Sequence, residues 1–230
     1  MNQFWWLIYP YLCLVVMIVG SLYRYAYRPM SWGSRSSEIL EKKQLRWGSQ
    51  LFHWGILLVI VGHVMGLLIP VAVYQALGVS HNMYHANADI LGGIAGLMTW
   101  VGLLILLVRR FGDRRVRRNS SVSDMVVLIL LFIVVTTGDS ITLVYNNIVG
   151  PYGYRHTIGP WVRGLLILHP HVALMAHVPM IFQIHIILAF LLFGISPFTR
   201  LVHIWSLPLA YLRRVPIQYR ARQQYRRHVS

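Results

Sequence analysis

Cysteine is almost missing from this chain: Cys13 stands alone among 230 residues. A single thiol excludes an intrachain disulfide and any cysteine-held zinc or iron–sulfur site, and the lack of a C-x-x-C-H run excludes a covalently attached c-type haem. Acidic residues are nearly as scarce, six against 21 lysines and arginines, and charged residues of both signs make up only 12% of the chain. No repeat of roughly 20–50 residues and no low-complexity linker breaks the sequence. One helical domain is therefore expected over residues 1–211, followed by a basic tail over 212–230. The N-terminal run MNQFWWLIYPY lacks a basic region and a small-residue cleavage site. It is expected to be a retained anchor rather than a signal peptide, with Trp5, Trp6, Tyr9 and Tyr11 at the interface.

What the chain has instead is apolar length. Hydrophobic residues reach 57% and mean hydropathy is +0.57. Five runs are long enough to cross a bilayer: Phe4–Leu22, Leu51–Ile69, Ile90–Val108, Met125–Tyr145 and Val178–His203. The expected fold is an all-α integral membrane bundle of five transmembrane helices. Of the 21 basic residues, 19 fall in the first and third connections and the tail; only Arg155 and Arg163 lie on the other side. The positive-inside rule then puts the N-terminus outside and the C-terminus in the cytoplasm, in a multi-pass protein of the cell membrane. It also accounts for the net charge of +15 by orientation and contact with anionic membrane lipid, with no nucleic-acid partner.

Eleven histidines is a high count for so apolar a chain. His81, His85, His156, His169, His171 and His177 fall in the two outside segments and His228 in the tail. Four sit within spans: His53 and His63 in the second, His185 and His203 in the fifth. An ionisable group at membrane depth is costly and usually has a partner. Topology puts His63 and His185 at the outer level and His53 and His203 at the inner one. Two imidazole pairs, one above the other, are what two stacked haems require for bis-histidine ligation. The spacing agrees only partly. His185 and His203, five helical turns apart, would share a face, yet their rise would be about 27 Å against about 15 Å for His53 and His63. A break at Ser196–Pro197 is one way to absorb the difference. Gly55, Gly62 and Gly66, with Gly92, Gly93 and Gly96, leave room either for a flat macrocycle or for close helix packing.

Three stretches carry a family resemblance: WGSRSSEILEKKQL at Trp32–Leu45, LFHWGILLVIVGH at Leu51–His63, and PFTRLVHIWSLP at Pro197–Pro208. With them, and over nearly its whole length, the chain resembles the gamma subunit of respiratory nitrate reductase. The resemblance implies an enzyme subunit, a dihaem cytochrome b with two haem b groups that oxidises menaquinol or ubiquinol. It implies two cytoplasmic partners, an iron–sulfur (beta) subunit and a molybdenum catalytic (alpha) subunit. The axial ligands it implies are His53, His63, His185 and His203, each an iron ligand. The outer pair is His63 with His185 and the inner pair His53 with His203.

In that picture quinol binds near the outer haem, releases its protons outside, and sends electrons inward to the iron–sulfur subunit. Gly62, Gly66 and His85 are the expected quinol-site residues. Family members commonly carry a lysine where this chain has Ala86, which leaves His85 or His81 to substitute.

Other polar residues have two readings each. Arg200 either pairs with a haem propionate or anchors the cytoplasmic side. Asp139 is either solvated near the outer surface or accepts a proton from quinol. Ser123 and Asp124 mark a helix start, while Arg155 and Arg163 read as loop charges. The proline-rich segment between the fourth and fifth spans is long enough to cover a quinol pocket. Two rival readings remain: a histidine-relay transporter without haem, and a dihaem quinone-linked subunit of another cytoplasmic-facing redox complex.

Overall fold

The computed structural model describes residues 3–28 and 40–205. The Trp32–Ile39 part of the first motif and the 212–230 tail lie outside the described residues. Among those described, regular structure is helical throughout, and five helices are long and apolar enough to cross a membrane.

In chain order the elements are α1 (Phe4–Tyr27), α2 (Lys43–Leu68), a short α3 (Val71–Ala76), α4 (His81–Gly112), a short α5 (Arg114–Arg118) and α6 (Val122–Ile148). After them come α7 (Ile158–Leu166), packed on the Val64–Leu68 end of α2, and α8 (Met180–Ile195). The helices outrun the apolar stretches because their caps lie further out. Ser80 accepts a hydrogen bond from the Met83 amide and starts α4 a full two turns before Ile90. His81 and His85, expected in an outside segment, thus sit on the first turns of α4. Ser121 and Asp124 form a reciprocal capping box at the start of α6.

The fifth span is shorter than expected. α8 stops at Ile195; Ser196–Phe198 is a 3₁₀ turn, Thr199 is extended, and Arg200–Trp205 is a second 3₁₀ segment. Pro197 has no amide hydrogen to continue the helix. His185 and His203 therefore do not share a helix face, and the rise of an ideal helix does not apply between them.

Close packing runs from α2 to α4, α4 to α6, α6 to α8 and α8 to α1. The α2–α4 seam is built on small residues. A Cβ at Gly55 would lie 2.6 Å from the Thr99 amide nitrogen and 2.9 Å from the Ala95 carbonyl. Gly102 lets the backbone at Phe52 approach in the same way, one turn further along. Of the two uses open to Gly55 and Gly96, the structure takes helix packing: Gly96 receives the Asp139 side chain from α6. Gly55→Leu is expected to spread α2 from α4 and cost about 3 kcal/mol or more, read as a lower melting temperature in detergent.

The segment from 149 to 179 is folded rather than loose. α7 carries Trp161, fully buried, whose Nε1 donates to the Trp6 carbonyl at 2.9 Å. Trp6 is thus core, not interface. Met175, Ile158 and Leu165 complete an apolar plug with Phe182 at the top of α8. Arg163, expected as a loop charge, donates to the Leu67 carbonyl at 2.8 Å and ties the plug to the end of α2.

Candidate functional site

Two pairs of imidazoles face one another, His63 and His53 of α2 against His185 of α8 and His203 of the 3₁₀ segment Arg200–Trp205. The rings of His63 and His185 are 6.2 Å apart between centroids, with 28° between their planes. Those of His53 and His203 are 6.4 Å apart, at 59°. Metal–imidazole bonds are about 2 Å long. One metal between two imidazole nitrogens thus sets the ring centroids a little over 6 Å apart, close to both separations.

The proton positions agree with this use. His53 Nδ1 donates to the Ser49 carbonyl at 2.7 Å and His63 Nδ1 to the Val59 carbonyl at 2.8 Å, each four residues back on α2. His185 Nδ1 reaches the Val134 carbonyl at 3.2 Å and Thr137 Oγ1 at 3.0 Å, both on α6. His203 Nδ1 donates to the Arg200 carbonyl. A carbonyl only accepts, so the ring proton is on Nδ1 in all four, and Nε2 keeps the lone pair a metal needs. Among the described residues no three His, Cys, Asp or Glu side chains converge as a bare metal site would need. Two imidazoles per iron, with a porphyrin supplying the other ligands, is the arrangement these residues fit.

Local structure aims each ring. A π-helical turn begins at Val64, directly after His63; such turns are frequent at functional sites. On the α6 side Gly138 clears the way for His185, since a Cβ there would come 3.0 Å from its Cε1. Thr137 donates to Val134 at 2.8 Å and so presents its oxygen to His185 as an acceptor. Neither Thr137 nor Gly138 stands out in the sequence, where both read as ordinary span residues.

His203 is held by its segment's ion pair. Arg200 grips Asp124 with Nε and Nη2, each 2.8 Å from one carboxylate oxygen. Arg24 donates to the Pro197 and Thr199 carbonyls at 2.7 Å and pins the break itself. Arg200 is therefore bonded to Asp124, a partner that neither reading named for it. Asp124 is more than a helix start.

The three expected quinol-site residues lie at the His63 end. Gly62 is open, with nothing within 4 Å of where a Cβ would be. Gly66 is buried one turn on, under the hydroxyls of Tyr154 and Tyr84, 2.8 and 3.2 Å from its would-be Cβ. His85 is buried, its ring 6.2 Å from that of Tyr154 and 4.4 Å from that of His81. Its Nε2 has no hydrogen-bond partner. Burial, with Tyr84 beside it, pushes the Tyr154 phenol far above its ordinary range, so it stays a neutral donor.

Two expectations fail here. Asp139 is not solvated: its Oδ2 is buried without a hydrogen bond, against Gly96. Arg155 is not a loop charge but 3% exposed, its guanidinium 3.6 Å from the Tyr84 ring centroid and 4.5 Å from that of Tyr74. Nothing in the sequence around Arg155 marks it, because the tyrosines that enclose it come from α3 and α4.

Fold and site together define a membrane-spanning helical protein with two facing imidazole pairs suited to tetrapyrrole iron. The family described as nitrate reductase gamma subunit matches residues 2–222. The nitrate reductase gamma chain of Bacillus subtilis is 46% identical over 221 residues, covering 96% of this chain and 99% of that protein. The respiratory nitrate reductase 1 gamma chain of Escherichia coli is 34% identical over 230 residues, covering 96% and 98%. The nitrate reductase-like protein NarX of Mycobacterium tuberculosis is 40% identical over 225 residues, 97% of this chain but 34% of that protein. The chain belongs to the nitrate reductase gamma subunit family.

Proposed function

We propose that this chain is the dihaem, quinol-oxidising membrane subunit of a respiratory nitrate reductase. The observation that carries the reading is the twin imidazole pairs, each at a one-metal separation with its ring protons turned away from the partner. His63 and His185 would hold one haem b and His53 and His203 a second, and the bound pair would supply one-electron transfer across the bundle.

The chain's own residues do the rest. The open face at Gly62 admits a flat ring beside His63. His85, with its unpartnered Nε2, is placed to accept a proton from a quinol hydroxyl, and Tyr154 and Tyr84 close over Gly66. Oxidation of one quinol gives a quinone, two protons and two electrons. The basic-residue asymmetry supports an N-terminus outside and a cytoplasmic C-terminus in the cell membrane, which puts the His63 end outside. The protons are then left outside while the electrons move inward, to an iron–sulfur beta subunit and a molybdenum alpha subunit that reduces nitrate. The 1–211 domain is the electron-carrying part, and the 212–230 tail faces the cytoplasm.

A reduced-minus-oxidised visible spectrum of the purified complex tests this. Sharp bands of bis-histidine haem b, two per chain, are expected on adding menaquinol or ubiquinol to the oxidised protein. A colourless protein would instead favour a histidine relay, and copurification of a different reductase would reassign the complex.

A further inference from the structure

A proton accepted by His85 has few places to go. The imidazole is 7% exposed, and its Nε2 is buried without a hydrogen-bond partner. Two phenols stand beside it, Tyr84 and Tyr154, with ring centroids 6.0 and 6.2 Å away. A neutral phenol takes on no further proton near neutral pH, and the guanidinium of Arg155, which also acts on His85, is already charged. Asp89 attracts a proton to His85, but it lies one turn further from the start of α4 and is bonded by Asn146 Nδ2 at 2.8 Å.

Toward the start of the helix a free base does adjoin the ring. His81 sits one turn before His85, with 4.4 Å between ring centroids. Unlike His85 it is exposed. His156, also exposed, stacks on His81 at 6.3 Å with 30° between the planes. It arrives from the 3₁₀ turn Tyr154–His156, so two separate parts of the chain build this row of rings. The row runs from a buried imidazole to solvent. An imidazole takes a proton on one ring nitrogen and releases one from the other, which suits it to passing protons on.

We propose that His81 is the shuttle that carries quinol protons from His85 to solvent. This rests on the reading of His85 as the quinol's proton acceptor. Each quinol oxidised yields a quinone, two electrons taken up by haem iron, and two protons. A proton passes from the quinol hydroxyl to His85 and from His85 to His81. From there it reaches water, directly or by way of His156. Rings not bonded to each other exchange it through one intervening water. Each imidazole ends neutral, ready for the second proton. The surrounding charges favour onward passage, since Arg155, His81 and His156 all repel a positive His85 and Asp89 opposes them.

The test is steady-state quinol oxidation by the full complex in its native membrane, comparing wild type with His81→Phe and His81→Ala, with and without added imidazole. His81→Phe keeps a ring in place but moves no proton. Its kcat is expected to fall roughly tenfold or more, with KM unchanged and haem content retained. In His81→Ala, free imidazole is expected to restore much of the lost rate, and to do so better at higher pH, where more of it is the free base.

A wild-type kcat in His81→Phe would overturn the proposal. So would a loss in His81→Ala that imidazole leaves unrestored, or one that comes with loss of haem, since either means a packing role. A rise in KM alone puts His81 on the quinol itself and equally rejects the shuttle. Failure of the His85 reading is separate: His85→Phe would then oxidise quinol at the wild-type rate. A slow His85→Phe beside a wild-type His81→Phe rejects the shuttle alone.

Discussion

Alanine at His63 is expected to remove one haem and spare the other, and alanine at His203 to do the same for the opposite member. In each variant the visible haem absorbance falls by about half, because a bis-histidine iron that loses one axial ligand to a methyl group has nothing else within the pair to replace it. His185→Ala should reproduce His63→Ala, and His53→Ala should reproduce His203→Ala. The pairing depends on this symmetry: His63 faces His185 and His53 faces His203, at 6.2 and 6.4 Å. Loss of both haems, or of neither, from both His63→Ala and His203→Ala would sink it. Electron delivery from quinol should fail in every one of the four, since a single haem leaves the route incomplete.

Breaking the Asp124–Arg200 pair should have the next largest effect, and it should be one-sided. Asp124→Ala leaves Arg200, which is partly buried, without its carboxylate, at a cost of about 3 kcal/mol. Arg200 lies in the turn that carries His203 and lends that ring its carbonyl acceptor. The variant is expected to lose or loosen the haem of His53 and His203 and to keep the other. Arg110, 3.7 Å from the same carboxylate, loses that contact as well but keeps its 2.7 Å bond to Ser120, just ahead of α6. Spectral resolution of the two haems in Asp124→Ala membranes decides the matter; equal loss of both would mean general unfolding rather than a displaced ligand.

Much of this architecture is legible in the residues. Five apolar runs foretell five long helices because few other structures satisfy the backbone in lipid. The levels of the histidines follow from counting crossings, and the facing rings follow from the levels. The fifth span was harder to bound. Hydropathy continues through Leu201 and Val202, while the backbone turns at Pro197, where the missing amide ends the helix. That turn removes the apparent conflict in rise, since His203 reaches His53 from a separate 3₁₀ segment.

What the sequence hid are contacts between distant parts. Arg155 reads as a loop charge until Tyr74 and Tyr84 are seen on either side of it. Asp124 reads as a cap until Arg200 arrives from 76 residues away. Charge counting assigns every arginine to topology and has no means of finding the few that are buried.

The order of close packing, α2–α4–α6–α8–α1, describes an arc whose two histidine-bearing members are not packed along each other. If the proposed haems are bound, they would themselves be the direct tie between α2 and the chain beyond α6, joining through their iron two parts of the bundle that do not otherwise pack closely on each other.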